Sequence, residues 1–82
     1  MNRAEVIESI TPIFRDVLDE SELKLDPESN ASTVSGWDSL AHVDLIVAIE
    51  KQFKIKFALG ELKSLKNVGE MADVIIRKVA AK

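Results

Sequence analysis

Apolar residues recur at helical spacing in three stretches of the chain, and the first stretch begins near residue 1. Its apolar positions are Val6, Ile10, Phe14 and Val17, separated by four, four and three residues. Asn2 and Glu5 form a capping-box pattern just before them, so we predict an amphipathic helix that ends near Asp19. Pro12 lies inside this helix and lacks the N–H that would bond to a carbonyl one turn earlier. A kink or break is therefore predicted near Thr11.

The second stretch, residues 39–53, predicts a helix with apolar residues on two faces. One face has the spacing of an ordinary core face and comprises His42, Leu45, Ile46, Ile49 and Phe53. The other has the same spacing and comprises Leu40, Val43, Asp44, Val47 and Lys51. Two interpretations stay open. The helix is buried all round, or Leu40, Val43 and Val47 (the outer strip) remain exposed and bind a partner.

Between these helices, residues 20–38 have no sustained period and contain an Asp-Pro pair, Asn and Ser, which favour turns. We predict a long loop here, attached to the core by Leu23, Leu25 and Val34. A loop of this length in a small domain is unusual and often functional. The segment FKIKF, residues 53–57, alternates like a strand but has no partner strand. We interpret it as an extended connector with its apolar side chains pointing inward.

The third stretch completes an all-α fold. The segment ALGELKSL, residues 58–65, predicts one short helix. The segment NVGE, residues 67–70, is a second capping-box pattern, and it begins a last amphipathic helix that ends near Ala80. We therefore predict a single domain over residues 1–82, a small four-helix bundle with three longer helices and one short third helix. The long loop connects helices 1 and 2.

Composition narrows the chemistry that this fold can perform. The chain has 82 residues, one histidine and no cysteine. It has no disulfide and no thiol of its own, so thioester chemistry would need a sulfur from elsewhere. One histidine without cysteine does not provide a zinc-ligand set. The first residues lack the apolar core of a signal peptide, and no apolar run is long enough to span a membrane. We expect a cytoplasmic monomer without a membrane partner.

Charge is distributed unevenly along the chain. Residues 1–50 carry three basic and eleven acidic side chains, whereas residues 51–82 carry eight basic and three acidic ones. Two interpretations stay open: solvated faces of a bundle, or two docking surfaces of opposite sign. We do not expect nucleic-acid binding, because the basic residues alternate with apolar core positions and no arginine or aromatic cluster accompanies them.

The candidate chemistry lies at Ser39, the first residue of the second helix. Gly36 lets the chain turn toward this helix, and Asp38 is the predicted N-cap. Ser39 has three interpretations. It caps the helix, it is a catalytic nucleophile, or it is an exposed attachment point presented to another enzyme. A phosphate attached there would be stabilised by the positive end of the helix, by about 0.3–1 kcal/mol at an exposed site.

The nucleophile interpretation has little support. Residues 36–40 resemble the Gly-Asp-Ser-Leu motif of one hydrolase family, but Trp37 is inserted. A serine hydrolase needs a base, an orienting carboxylate and an oxyanion hole around a cleft. The one histidine, His42, falls on the core face of the same helix, and a chain of this length leaves little room for a cleft.

Taken together, residues 36–57, GWDSLAHVDLIVAIEKQFKIKF, resemble the core of an acyl or peptidyl carrier protein. That family shares Gly-x-Asp-Ser-Leu, an apolar helix and a Phe-x-Ile-x-Phe-like segment, and the similarity extends over nearly the whole chain. It implies that Ser39 receives a 4′-phosphopantetheine arm from coenzyme A through a separate magnesium-dependent transferase. The thiol of the arm would carry acyl or aminoacyl groups as thioesters.

The resemblance also implies partners and recognition residues. Asp38 matches an acid that helps the phosphopantetheinyl transferase recognise the serine. A second-helix surface that partner enzymes recognise is matched by Leu40, Val43, Asp44 and Val47. The implied partners are this transferase, an acyl- or aminoacyl-loading ligase and downstream biosynthetic enzymes of fatty acid, polyketide or nonribosomal peptide pathways. The chain itself would not be an enzyme. The alternative is an unmodified helical adaptor, related to carriers, that binds partners through the same helix.

Several residues depart from the pattern of carriers in fatty acid synthesis. Ala41 and His42 replace an acid and a small polar residue, and Ser35 replaces an apolar one. The second half of the chain is basic where those carriers are strongly acidic, through Lys51, Lys54, Lys56, Lys63 and Lys66. Surface charge selects partners and sets association rates. We therefore expect a dedicated biosynthetic pathway rather than a housekeeping one.

Overall fold

The chain folds into four α-helices, seen in a computed structural model that describes residues 1–62 and 65–81. The helices are α1 (Arg3–Leu18), α2 (Ser39–Phe53), α3 (Leu59–Leu62) and α4 (Val68–Ala80). Helix α1 packs against both α2 and α4. The described ranges contain no strand, so the predicted all-α bundle with one short third helix is confirmed. Lys63 and Ser64, at the end of the segment predicted to hold the short helix, lie outside the described residues.

Helix α1 begins at the predicted capping box. The backbone N–H of Glu5 donates to Asn2 Oδ1, and the N–H of Asn2 donates to Glu5 Oε1, both at 2.9 Å. These reciprocal bonds satisfy donors that have no partner within the helix. At the other end, Asp19 adopts a left-handed conformation with φ 54°, and its N–H bonds back to the last turn. The capping residues therefore place both ends of the helix within one residue of the prediction.

Helix α1 continues through Pro12, and the predicted break is wrong. Pro12 lies on the exposed side, while Ile10 and Phe14 are fully buried. Burial of a large apolar side chain stabilises by about 1.5–3 kcal/mol, so two of them offset the roughly 3 kcal/mol cost of an internal proline. The hydroxyl of Thr11 also donates to the carbonyl oxygen of Ile7 at 2.6 Å within the same turn.

The core lies between the three longer helices and draws on each of them. Its fully buried large side chains are Val6, Ile10, Phe14, Leu45, Ile49, Val68, Met71 and Ile75. Helix α4 contributes the most continuous apolar face, whereas α2 buries one of its two apolar stripes. No helix within the described ranges is long and apolar enough to cross a bilayer.

The long loop between α1 and α2 is attached to the bundle by side chains and by its backbone. Val34 is buried, and Leu23 and Leu25 pack against the core, as predicted. The N–H of Gly69 donates to the carbonyl oxygen of Pro27 at 2.8 Å, and the N–H of Val68 donates to that of Ser29 at the same distance. The loop thus supplies acceptors for the first turn of α4, where backbone donors lack partners within the helix.

Two other local predictions have different outcomes. Asn67 caps α4 by accepting from the N–H of Glu70, but the Glu70 carboxylate accepts from Lys66 N–H at 3.1 Å instead of from Asn67. The predicted capping box is therefore only half formed. Phe53 is the last residue of α2 and Lys54 is left-handed, so the connector comprises residues 54–57 instead of the predicted 53–57; Ile55 is buried, and the two phenylalanines pack on the core as predicted.

Candidate site at the start of the second helix

The first turn of α2 is held by Asp38, which leaves Ser39 uninvolved in capping. The N–H of Ala41 donates to Asp38 Oδ1 at 2.8 Å, which confirms the predicted N-cap. Gly36, two residues earlier, has φ 85°, a left-handed conformation that favours glycine. Ser39 is exposed, and across residues 1–62 and 65–81 its hydroxyl makes no hydrogen bond to the protein. The helix start therefore presents an unengaged hydroxyl to solvent.

An aromatic cluster beneath Ser39 was missed by the sequence reasoning. Trp37 is buried, and its indole Nε1 donates to His42 Nδ1 at 3.1 Å. The two rings stack with centroids 6.0 Å apart, and Trp37 meets Phe14 edge-on at 5.0 Å. Because a buried indole N–H needs an acceptor, the presence of one tryptophan and one histidine five residues apart was the available signal. The cluster ties the entry of α2 to α1.

His42 is thereby occupied in a structural bond and is not arranged as a catalytic base. Burial lowers its pKa below the ordinary value of 6.5 and favours the neutral ring, which can accept the indole proton. Among the described residues, no hydrogen bond joins His42 to Ser39 or to a carboxylate. The neighbouring surface is an open groove of about 420 Å³, lined by Ala31, Trp37, Asp38, Ser39, His42, Leu65 and Lys66. A catalytic triad is not assembled in the described part of the chain.

The two stripes of α2 have different environments, so the helix is not buried all round. Leu45, Ile46 and Ile49 are buried in the core. The outer strip remains in solvent, with Leu40 exposed to 76%, Val43 to 58% and Val47 to 43%. Asp44 lies on the same exposed face. An apolar strip on one helix therefore begins immediately beside the Ser39 hydroxyl.

The sequence matches a known family model over this site. Residues 8–75 match the model described as a phosphopantetheine attachment site. An acyl carrier protein of Thermosynechococcus vestitus is 36% identical over 81 residues, which cover 99% of this chain and all of that protein. One of Guillardia theta is 31% identical over the same shares of the two chains. The chain therefore belongs to the phosphopantetheine-binding carrier family, and these relatives are acyl carrier proteins.

Solved structures agree with this assignment. The solution structure of the holo acyl carrier protein from Geobacter metallireducens matches with a TM-score of 0.86 and 49% identity, covering 92% of this chain and 86% of that one. The crystal structure of the Thermotoga maritima acyl carrier protein has a TM-score of 0.84 at 22% identity, covering 99% and 94% of the two chains, which supports the fold alone.

Membership in this family implies a covalently attached phosphopantetheine, and the residues present are compatible with such a group. Attachment requires a hydroxyl that another protein can reach, and Ser39 provides an exposed, unbonded one. The first backbone N–H groups of α2 lie beside it and favour a negative charge. The described residues hold no cluster of His, Cys, Asp or Glu suited to a metal ion.

Proposed function

We propose that Ser39 is the attachment point of the 4′-phosphopantetheine arm and that this chain presents acyl or aminoacyl thioesters to partner enzymes. The main support for this proposal is that Asp38 caps α2 while the neighbouring Ser39 takes no part in capping. Asp38 satisfies the helix cap, so the Ser39 hydroxyl is exposed and free to react. A serine needed for capping would lose a stabilising bond on modification, and Ser39 would not.

Loading forms one bond and breaks one bond. Ser39 Oγ bonds to the phosphorus attached to the pantetheine moiety of coenzyme A, the pyrophosphate bond breaks, adenosine bisphosphate leaves, and the hydroxyl proton passes to a base of the transferase or to solvent. A magnesium-dependent transferase catalyses the step, so this chain acts as its substrate and not as an enzyme. The arm, once bound, supplies the thiol that a chain without cysteine lacks.

The outer strip and its acidic neighbours are proposed to recognise the partners. Leu40, Val43 and Val47 offer apolar contact beside the tether, while Asp38 and Asp44 offer negative charge. The proposed partners are the phosphopantetheinyl transferase, a loading ligase and downstream biosynthetic enzymes. Exposed apolar residues bordered by charge are typical of protein-binding sites. We further propose that residues 1–82 act as one monomeric carrier domain in the cytoplasm.

A dedicated pathway is the proposed setting, because the second half of the chain is basic. Residues 51–82 carry eight basic and three acidic side chains. Carriers of fatty acid synthesis, which the sequence otherwise resembles, are strongly acidic there. Since charge complementarity controls which partners associate, a carrier with a basic second half is suited to a different set of enzymes.

Intact-mass measurement tests the attachment site. The purified protein is incubated with coenzyme A and a broad-specificity transferase, beside the variants Ser39→Ala and Ser35→Ala. Ser35 is an exposed serine four residues away and serves as the matched control. Wild type and Ser35→Ala should gain the mass of one phosphopantetheine, and Ser39→Ala should gain none. If wild type gains no mass, or Ser39→Ala gains it equally, the protein is instead an unmodified adaptor or is modified elsewhere.

A further inference from the structure

The C-terminal end of α2 has a chemistry opposite to its N-terminal end. A shallow groove of about 440 Å³ lies there, lined by Val47, Glu50, Lys51, Lys54, Ile55 and Lys56. Val47 also belongs to the outer strip, so the groove and the strip form one continuous surface. The positions from Leu40 to Lys51 extend over roughly 17 Å of helix. One protein partner of ordinary interface size, about 800 Å² on each side, can cover both ends.

The positive charge of this groove is available to a partner. Lys51, Lys54 and Lys56 are exposed, and none of them forms an ion pair within the described ranges. Some other basic side chains of the bundle are paired: Arg3 with Asp73 at 2.8 Å, and Lys78 with Glu61 at 2.7 Å.

The one acid that lines the groove is committed to the fold. Glu50 accepts the N–H of Phe57 at 2.8 Å through Oε2, and its backbone carbonyl accepts the N–H of Ile55 at 3.1 Å. These bonds hold the connector after α2 in place. With three lysines against this single acid, the groove keeps a net positive charge.

Lys54 also occupies a position where lysine is not the stable choice. It ends α2 in a left-handed conformation with φ 57°, a site at which glycine or asparagine is favoured. A side chain with a Cβ costs roughly 1 kcal/mol there. Asp19 ends α1 in the same conformation, so this fold accepts the cost at helix ends, and Lys54 stays exposed in the groove.

We propose that partner enzymes bind along α2 in one fixed orientation. An acidic surface of the partner contacts Lys51, Lys54 and Lys56, and an apolar surface contacts the outer strip. This inference rests on the proposed carrier function, because it assumes a partner aligned with the tether at Ser39. Binding of opposite charges at one end and apolar contact at the other would fix the orientation of the partner relative to the arm.

A protein fits this surface better than an anionic membrane does. Polybasic segments that bind lipid headgroups carry about four to eight clustered basic residues, and this groove has three. The chain as a whole has a net charge of −3, which opposes approach to an anionic bilayer. The apolar floor formed by Val47 and Ile55 instead favours acidic side chains carried on an apolar helix or loop.

Titration with two synthetic peptides tests the proposal. Each is an amphipathic helix of about four turns with the same leucine face. The acidic peptide carries glutamates at the end meant for the groove, and the basic peptide carries lysines there. Binding is followed by the amide nuclear magnetic resonance signals of the isotope-labelled protein. The acidic peptide should shift signals at Val47, Lys51 and Lys56, and the basic peptide should bind roughly tenfold more weakly.

Charge-reversed variants give the decisive comparison. Lys51→Glu with Lys56→Glu should weaken the acidic peptide by about five- to tenfold and reduce its salt dependence. Lys24→Glu, at an exposed lysine on the α1–α2 loop, is the control for charge reversal outside the groove and should bind like wild type. Equal affinity for both peptides, no binding, or unchanged affinity in the double variant would overturn the proposal.

Two further measurements complete the test. Vesicle binding distinguishes an acidic protein partner from a membrane, and transferase loading distinguishes a failure of the proposed orientation from a failure of the carrier function. Cosedimentation with phosphatidylcholine–phosphatidylglycerol vesicles should leave the wild type in solution, and sedimentation that the double variant loses would indicate a membrane partner and overturn the proposal. The same preparations are loaded with coenzyme A and the transferase. Failure to load Ser39 counts against the proposed function, whereas normal loading with no effect of charge reversal counts only against the proposed orientation.

Discussion

Variants of Asp38 can separate a role in folding from a role in function, because the same carboxylate caps α2 and is proposed to be recognised by the transferase. Asp38→Asn retains an acceptor for the N–H of Ala41, now 2.8 Å from Oδ1, but removes the charge. Asp38→Ala removes both. If the two roles are distinct, only Asp38→Ala should lower the stability of the fold, whereas both variants should slow loading by the transferase.

The expected magnitudes follow from the geometry of the helix start. Loss of an N-cap acceptor costs about 1 kcal/mol, so Asp38→Ala should lower the melting temperature by about 4–8 °C for a domain of this size. Asparagine ranks with aspartate as a cap, and loss of the charge–dipole interaction at an exposed site costs about 0.3 kcal/mol. Asp38→Asn should therefore melt within about 2 °C of wild type.

Thermal melting by circular dichroism and the initial rate of transferase loading together provide the test. Both variants should load more slowly than wild type, by about fivefold or more if the carboxylate contacts the transferase through a hydrogen-bonded charge pair. Glu28→Gln, on the exposed loop, is the control for a generic loss of negative charge. If Asp38→Asn loads at the wild-type rate, the recognition role is refuted, and if Asp38→Ala is as stable as Asp38→Asn, the capping argument fails.

Three further predictions concern packing, pH and docking. Gly69→Ala should destabilise the protein by about 1–3 kcal/mol in denaturant unfolding, because the new Cβ would lie 2.9 Å from the carbonyl oxygen of Pro27. Gly60→Ala is the control and should not destabilise it, because no atom lies within 4 Å of that Cβ. Equal effects of the two substitutions would contradict this prediction. Because the folded-state pKa of His42 is lowered, the unfolded chain binds more protons just below pH 6.5. The free energy of unfolding should therefore fall as pH drops through that value and level off below the folded-state pKa, and His42→Gln, which cannot titrate, should lack this limb and keep an acceptor for Trp37. Val43→Glu should preserve the circular dichroism spectrum and weaken loading by about tenfold; loss of helicity would mean that Val43 supports the core.

The helix boundaries could be predicted because they are set by local chemistry. Asn2, Asp38 and Asn67 all act as N-caps, and each satisfies a backbone donor within three residues along the chain. The outcome at Pro12 needed information that is not local. Whether a proline ends a helix depends on how much apolar surface is buried on either side of it, and only the packed bundle shows that Ile10 and Phe14 are fully enclosed.

The residues of the candidate site could be predicted from the sequence, but the side-chain contacts that hold the site in place could not. The spacing along α2 predicted the outer strip, and the resemblance to carrier proteins implied Ser39; both are exposed, while their roles stay predictions. The pairing of Trp37 with His42 was not predicted, because helical spacing placed His42 on the core face without indicating which side chain it meets. The indole reaches His42 from the loop before the helix, and the fold of that loop cannot be inferred from periodicity.

The two stripes of α2 explain how a thin core and an exposed apolar strip coexist in one helix. Burial of Leu45, Ile46 and Ile49 attaches the helix to α1, so the inner stripe contributes more to stability than the largely exposed outer strip. Covering Leu40, Val43 and Val47 would stabilise by about 25 cal/mol for each Å² of apolar surface removed from water, and only another molecule can supply that cover. Substitutions on the inner stripe should therefore change unfolding, while those on the outer strip change association. Under the proposed function, substitutions on this surface would change which partners bind without altering the bundle around Ser39.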